Sequence, residues 1–312
     1  MNGRIVREPP GSGPGYWAGA PGAYYDAAER AFYLSYRLRR PRGIEPDRGG
    51  EARIARSADL EHFEDVWSVT KDRYGSASIE RSALCRAPGG ACHYFTSHVD
   101  PADGRWCVAA LAAERPEALD PARARRIFSA TDLDLEGVKD PWIFEQRGAW
   151  WMFLSVALPT PATTAGSHAT GDIFNTGECV SATGLAVSRD LERWEWLGVV
   201  FAPGASGWDR YCRRITAVVP HEGQYLAFYD GSAGVAENYE ERTGLAVSSD
   251  LRVWQSLTPD GPRLQSEHAS GSLRYVDARR VGSRVVAFYE CARADGAHEL
   301  RMAELRPEKL FG

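Results

Sequence analysis

Residues 137–155 read GVKDPWIFEQRGAWWMFLS. The stretch scans as two short strands around a tight turn that ends on Gly148. Lys139-Asp140-Pro141 heads the first strand, and the second is a dense aromatic run, Trp150, Trp151 and Phe153, closing on Ser155. That run has relatives along the chain: AFYLSY from Ala31, CHYFTS from Cys92, YLAFYD from Tyr225 and VVAFYE from Val285. Aligned at their ends they give Ser35, Ser97, Ser155, Asp230 and Glu290, spaced by 62, 58, 75 and 60 residues. A second motif repeats independently. TGLAVSRDLERW at 183–194 returns almost unchanged as TGLAVSSDLRVW at 243–254, and ARIARSADLEHF from Ala52 is a weaker copy.

A period of this length, filled with short strands, is the pattern of β-propeller blades. The fold class expected is all-β: one domain, a five-bladed β-propeller of four-stranded antiparallel blades. The blades fall at about 16–70, 76–130, 137–200, 208–260 and 268–308. A β-sandwich is the alternative and leaves the constant repeat unexplained. Residues 113–126 are the one ambiguous helical stretch, expected as a loop or partial helix, and residues 3–7 are available to complete the last blade. Neighbouring strands run antiparallel, so the loops leaving each second strand return to the face that carries Asp140. Those loops, at 36–50, 98–104, 156–182, 231–242 and 291–297, are the longest and most polar connections. Long loops on a rigid scaffold are where binding residues collect.

Composition narrows the partners. The net charge of −5 over 312 residues disfavours nucleic acid and anionic membranes, and no stretch is apolar for long enough to span a bilayer. The N-terminal residues lack the apolar core of a secretory signal, so a cytoplasmic location is expected. Six cysteines show no CxxC and no zinc-like spacing and read as buried thiols, although Cys85 and Cys92 flank an apparent hairpin and are close enough to face each other. No phosphate loop, dinucleotide fingerprint or Ser-His-Asp elbow is present, and no cofactor is required. Oligomeric state is left open.

Asp-Pro opening an inner strand, followed by an aromatic strand ending in Ser, resembles glycoside hydrolase family 43 and its relatives. The resemblance implies a five-bladed propeller and three carboxylates at the channel mouth: a general base, a helper Asp and a general-acid Glu, each at the start of an inner strand. It implies glycosidic-bond cleavage with inversion, for which acid and base stand roughly 6.5–9.5 Å apart. Asp140-Pro141 matches the family motif, and Glu80 of Ile79-Glu80-Arg81 falls close to a catalytic carboxylate position. Ala20 of Gly19-Ala20-Pro21 stands where the first-repeat base is expected; Arg213 and Arg214 occupy the fourth site, and Ser272 and Arg274 the fifth. Asp26, Asp100, Asp172 and Glu178 are available to replace the missing base. Relatives also carry a cation on the channel axis near a histidine, which makes calcium an option and His268 its nearest candidate ligand.

Each candidate also has a structural reading. Asp140 before proline is suited to cap a turn, and Glu80-Arg81 to form a local ion pair. Arg37, Arg39, Arg40, Arg42 and Arg48 lie on or beside the first face-forming loop; most fit a solvated loop, and Arg37, nearest the strand end, fits the site. With Arg213, Arg214 and Arg293 it would suit a carboxylate- or phosphate-bearing ligand. Lys139 and Arg81 would tune neighbouring acids. His98 is available as a base oriented by Asp100, and His168 sits in a Thr/Ser/Gly-rich loop shaped like a lid. Trp17 leads the aromatic candidates for stacking on a sugar, ahead of Tyr16, Trp106, Tyr211 and Tyr239. Asp230 and Glu290 end second strands at the same face, placed to bind hydroxyls or to cap.

The leading function is a carbohydrate-active, glycoside-hydrolase-like enzyme acting on a small glycoside or oligosaccharide, with Glu80 as general acid and Asp140 as base or tuning partner. The alternatives are a non-hydrolytic descendant that transforms another small molecule and a protein-interaction propeller.

Overall fold

Alternating apolar side chains and Gly- or Asp-bearing turns produce strands almost throughout. A computed structural model describes residues 1 and 3–306, and the helical elements between its strands are short 3₁₀ turns. After a short strand β1, Arg4–Arg7, come β2 (Trp17–Asp26), β3 (Ala31–Arg40), β4 (Arg48–Ser57) and β5 (Glu64–Thr70), paired antiparallel in that order. The same ladder follows in β6 (Ile79–Arg86), β7 (Cys92–Val99), β8 (Trp106–Ala113) and β9 (Arg125–Phe128). It recurs in β10 (Gly137–Gln146), β11 (Ala149–Pro159), β12 (Cys179–Ser188) and β13 (Glu195–Phe201). Next are β14 (Cys212–His221), β15 (Gln224–Ser232), β16 (Arg242–Ser248) and β17 (Gln255–Ser256). Last come β18 (Leu273–Val281), β19 (Arg284–Ala292) and β20 (His298–Leu305), on whose free edge β1 lies antiparallel. The expected role of residues 3–7 is therefore met. Single parallel bridges, Trp17↔His298 and Ser181↔Cys212, link neighbouring ladders.

First strands of neighbouring ladders pack together around the middle of the molecule: β2 against β6 and β18, β6 against β10, and β14 against β18. The apolar core is divided into layers between ladders. One joins Trp142 and Phe153 to Ile215, Phe228 and Val276, another joins Phe95 and Phe128 to Met152 and Val156, and a third joins Phe32 and Leu34 to Phe288 and Leu300. The aromatic strands fill these layers, each large side chain contributing about 1.5–3 kcal/mol on burial.

The Ser-x-Asp-Leu motif forms the same turn in three copies. Leu60, Leu191 and Leu251 take φ of 66°, 64° and 69°. Ser57, Ser188 and Ser248 each accept the backbone N–H of that leucine at 2.9 Å, and Asp59, Asp190 and Asp250 accept the next two N–H groups. These bonds compensate the left-handed backbone. Residues 113–126 hold two 3₁₀ turns, Pro116–Ala118 and Pro121–Arg123. All six cysteines are free and buried; Cys85 and Cys92 sit diagonally across their hairpin, where Cys85 opposes His93 and Cys92 opposes Arg86. Positions 307 and 308, expected in the last repeat, lie outside the described residues.

Candidate active site

Every first strand breaks register at its head. The shifts fall at Gly19/Gly22, Ile79/Ser82, Lys139/Trp142, Ile215/Ala217 and Arg274/Asp277, and a bulge of this kind kinks its strand locally. Ala20, Asp140 and Tyr275 occupy equivalent bulge positions with φ of 51°, 55° and 53°. For tyrosine this conformation is strained, and such strain collects at functional sites.

The second strands hold the bulges in place. Ser97 Oγ accepts the N–H of Asp140 at 2.7 Å, Asp230 Oδ1 that of Tyr275 at 2.9 Å, and Glu290 Oε2 that of Ala20 at 3.0 Å. Three of the five end-of-strand residues legible in sequence, Ser97, Asp230 and Glu290, are thus bulge caps. For Asp230 and Glu290 this is the structural role. Burial, opposed by Arg214 and reinforced by Glu241, pushes the Asp230 carboxyl up to about 7.

Asp140 lies in the centre. Its Oδ2 accepts from Tyr275 Oη at 3.3 Å and stands 3.6 Å from Lys139 Nζ, while Oδ1 is buried and has no partner among the described residues. Burial, then Asp140 and Glu80, drive the Tyr275 phenol well above its ordinary range, so it remains a donor. Lys139 Nζ lies over the rings of Phe174 and Trp106 at 4.7 and 5.0 Å. Glu80 Oε2 accepts from Arg37, whose guanidinium carries only donors.

A third acid arrives from a loop. Asp172 Oδ1 accepts from Trp106 Nε1 at 3.2 Å, and Oδ2 is bonded to the Tyr239 hydroxyl. Burial raises its carboxyl, Lys139 opposing and Glu80 reinforcing the shift. Loops 160–178 and 233–241 therefore meet over the mouth, and the side chains beneath are closed off: Asp140 is 3 % exposed, Glu80 5 % and Asp172 4 %.

Around these acids runs a buried ionic chain. Arg214 and Arg274 share Glu241, the latter at 2.7 Å; Arg274 also grips Glu290 at 2.8 Å. His298 stands between Glu290 at 2.7 Å and Glu240 at 3.0 Å. Against burial, Arg274 first and then His298 and Arg37 hold the Glu290 carboxyl far below its usual range. Trp17 stacks on His298 with centroids 4.7 Å apart.

Trp17, Arg37, Glu80, Lys139, Asp140, Arg214 and Glu290 thus come together as the sequence suggests. Arg81 is nearby but serves the channel. It donates to Pro21 O at 2.8 Å, lies 3.4 Å from Asp277, and is 1 % exposed. That guanidinium supplies a positive charge between β2, β6 and β18, where the resemblance allows calcium. The residues there do not fit a metal ion, and no group of three metal-ligating side chains occurs among the described residues. His268 is exposed in the loop before β18 and is no part of the channel.

Other expectations are redirected. His98 stacks on Tyr74 at 5.3 Å and faces Cys107, while Asp100 pairs with Arg126, so they form no base and orienter. His168 bonds Glu136 at 2.7 Å and anchors its loop instead of entering the site. Arg213 turns outward to Asp209 at 2.8 Å, Arg293 pairs with Glu8, and Asp26, at the far end of β2, binds Arg86 at 2.5 Å. Tyr211 donates to Phe174 O. Sequence reasoning offered Tyr239 for stacking but missed Glu240 and Glu241 as site members; these consecutive acids, beside a loop rich in small residues, are the signal that was there.

No protein-family model and no curated sequence matches the chain. Solved structures do. A thermostable family-43 glycoside hydrolase superposes with a TM-score of 0.68 at 14 % identity, covering 97 % of this chain and 92 % of that one. The chain has a family-43-like fold. The β-1,2-mannobiose phosphorylase of Listeria innocua, solved with β-1,2-mannobiose, gives 0.65 at 14 % identity, over 98 % and 93 % of the two chains. A glycosyl hydrolase from Bacteroides ovatus gives 0.64 at 13 %, over 93 % and 84 %. In this chain Ala20 stands at the first strand head, and Arg214 and Thr216 stand at the fourth.

Proposed function

We propose that the chain is a carbohydrate-active enzyme of glycoside-hydrolase type, acting at the Asp140 face of a single five-bladed propeller. The five successive ladders, with β1 as the fourth strand of the last, support the blade count. The observation that carries the reading is the convergence of Asp140, Glu80 and Asp172 under a closed loop roof, with Asp140 Oδ1 free of partners among the described residues.

Hydrolysis needs a proton for the leaving oxygen and a carboxylate to take one from water. Asp140 suits the second role through Oδ1, steadied by Lys139 and Tyr275. Asp172 suits the first, because burial favours its protonated form and Glu80 discourages a second negative charge beside it. Glu80, bonded to Arg37, is reassigned from general acid to that neighbouring anion. Trp17 and Tyr239, with centroids 5.8 Å apart, wall the side of the site that carries Arg39. A cytoplasmic location belongs to the same proposal, supported by six unpaired buried thiols.

Hydrolysis of a panel of aryl glycosides by the wild type, Asp140→Asn, Asp172→Asn and Glu80→Gln tests this. Loss of about 10²–10⁴ in kcat for both aspartate variants, with melting temperatures kept, is the expected outcome. A well-folded wild type inert across the panel would favour the second reading, a non-hydrolytic transformation. That reading is favoured by Ala20 at the expected base position and by the engagement of Arg214 with Glu241.

A further inference from the structure

Residues 35, 37 and 39 alternate along β3 and project to one side, each pair about 6.8 Å apart. Ser35 bonds Ser82 O, Arg37 meets Glu80, and Arg39, the outermost, lies at the mouth. Its guanidinium is 4.1 Å from the ring centroid of Trp17 and 4.5 Å from that of Tyr239. The two centroids are themselves only 5.8 Å apart, so the rings lie on adjacent sides of the guanidinium and leave the rest of its N–H edge.

That edge has no acid. Among the described residues no carboxylate lies in ion-pair range of Arg39, although Arg37, Arg274, Lys139 and Arg214 each have one. Burial first, and then the neighbouring charge of Arg37, lower its guanidinium to about 10, which marks a cation short of compensation. Several buried donors on this side of the site lack a hydrogen-bond partner. Arg39 Nε, Arg37 Nε and Trp17 Nε1 are donors without an acceptor among the described residues, and Arg37 Nη2 has only the Glu290 carboxylate, 3.7 Å away. Native proteins leave few buried polar groups unmatched, and a cluster of one sign calls for a ligand of the other. Across the mouth, Asp140 Oδ1 is an acceptor without a donor.

We infer that the site takes an acidic sugar, a saccharide bearing a carboxylate or phosphate. Its oxyanion lies along the edge of Arg39, beside Arg37 and Trp17, and a hydroxyl donates to Asp140. The inference rests on the carbohydrate-active reading for the sugar and on the donor cluster for the charge. Asp140, Glu80 and Asp172 explain why a sugar that is merely anionic all round would be refused.

The test is calorimetric binding of the full chain to glucuronate, galacturonate, glucose 6-phosphate, glucose and inorganic phosphate. At least one acidic sugar should bind tenfold or more tightly than glucose, with affinity falling from low to high salt. Which one binds separates carboxylate from phosphate. In Arg39→Gln the ratio of acidic to neutral affinity should collapse towards one, and Arg39→Lys should restore part of it; melting curves check that both variants fold. Equal binding of glucose and all acidic sugars would overturn the inference, as would an unchanged ratio in Arg39→Gln. Inorganic phosphate binding as tightly as the best acidic sugar would overturn the saccharide part. Asp140-dependent hydrolysis of neutral glycosides, without acidic preference, would retain the enzyme and remove this inference. Arg39-dependent binding of acidic sugars by a chain inert to every glycoside would do the reverse.

Discussion

Replacing Glu290 by glutamine changes one atom and unsettles five groups. Oε1 accepts from Arg274 Nε at 2.9 Å, lies 2.8 Å from Arg274 Nη2 and receives His298 Nδ1 at 2.7 Å. Oε2 accepts from Ala20 N at 3.0 Å and lies 3.7 Å from Arg37 Nη2. All five partners are donors, so an amide NH₂ faces a donor whichever way it is turned. Its best orientation sacrifices the cap on the Ala20 bulge and weakens the compensation of two buried arginines. Breaking a buried pair from one side costs about 3–5 kcal/mol. With an unfolding entropy of about 2.1 cal/mol/K per residue, that is a fall in Tm of roughly 5–8 °C for this chain. Calorimetry of both proteins at pH 7 measures it. The folded carboxyl titrates below its unfolded value, so this stability is present above about pH 4.3 and is lost as the pH drops further. The gap between wild type and variant should therefore narrow below pH 4. A variant that melts within 1 °C of wild type at pH 7, or a gap that widens in acid, would refute the reasoning.

Gly22→Ala should be worse than a routine substitution, because a Cβ there would meet the backbone oxygen of Ser82 at 1.9 Å; a loss at or above the upper end of about 1–3 kcal/mol is expected in denaturant titration. His298, held between two glutamates, has its imidazolium favoured despite burial. Its contribution is complete below about pH 6.5 and fades as the pH rises through the higher folded value, so wild-type Tm should decline towards pH 9 more steeply than that of His298→Gln. Tyr239→Phe removes the hydroxyl that ties one roof loop to Asp172; a loss of about 1–3 kcal/mol by melting, with faster proteolysis of loop 233–241, is expected.

The repeat was legible because its causes are local. Ser188-Arg189-Asp190-Leu191 and Ser248-Ser249-Asp250-Leu251 carry their hydrogen bonds within four residues, so the same letters make the same turn wherever they occur. Asp140 could be singled out for the same reason, since Asp-Pro at a strand head is a local sign. The rest of the site is assembled across blades. Nothing near Asp172 in sequence announces Trp106 or Tyr239, which lie 66 and 67 residues away. The opposite fates of the adjacent Arg213 and Arg214 follow from strand alternation, which a bulge of uncertain position obscures. His98 and Asp100 were paired by proximity in the chain, but as residues two apart beside a strand end they answered to different neighbours, Tyr74 and Arg126.

The pairing of β1 with β20 has a consequence for the order of events in the cell. Arg4, Ile5 and Arg7 find their partners in Met302, Arg301 and Leu300, so almost the whole length of the chain separates the two edges. A ribosome, adding about 5–20 residues per second, releases β1 well before β20. Throughout that interval the emerging polypeptide carries an unmatched β edge, open to a neighbouring copy on the same message. Slow synthesis would prolong the exposure. A fusion partner that delays access to Arg4 should therefore affect the yield of native protein more than one of equal size placed in the turn after Glu145.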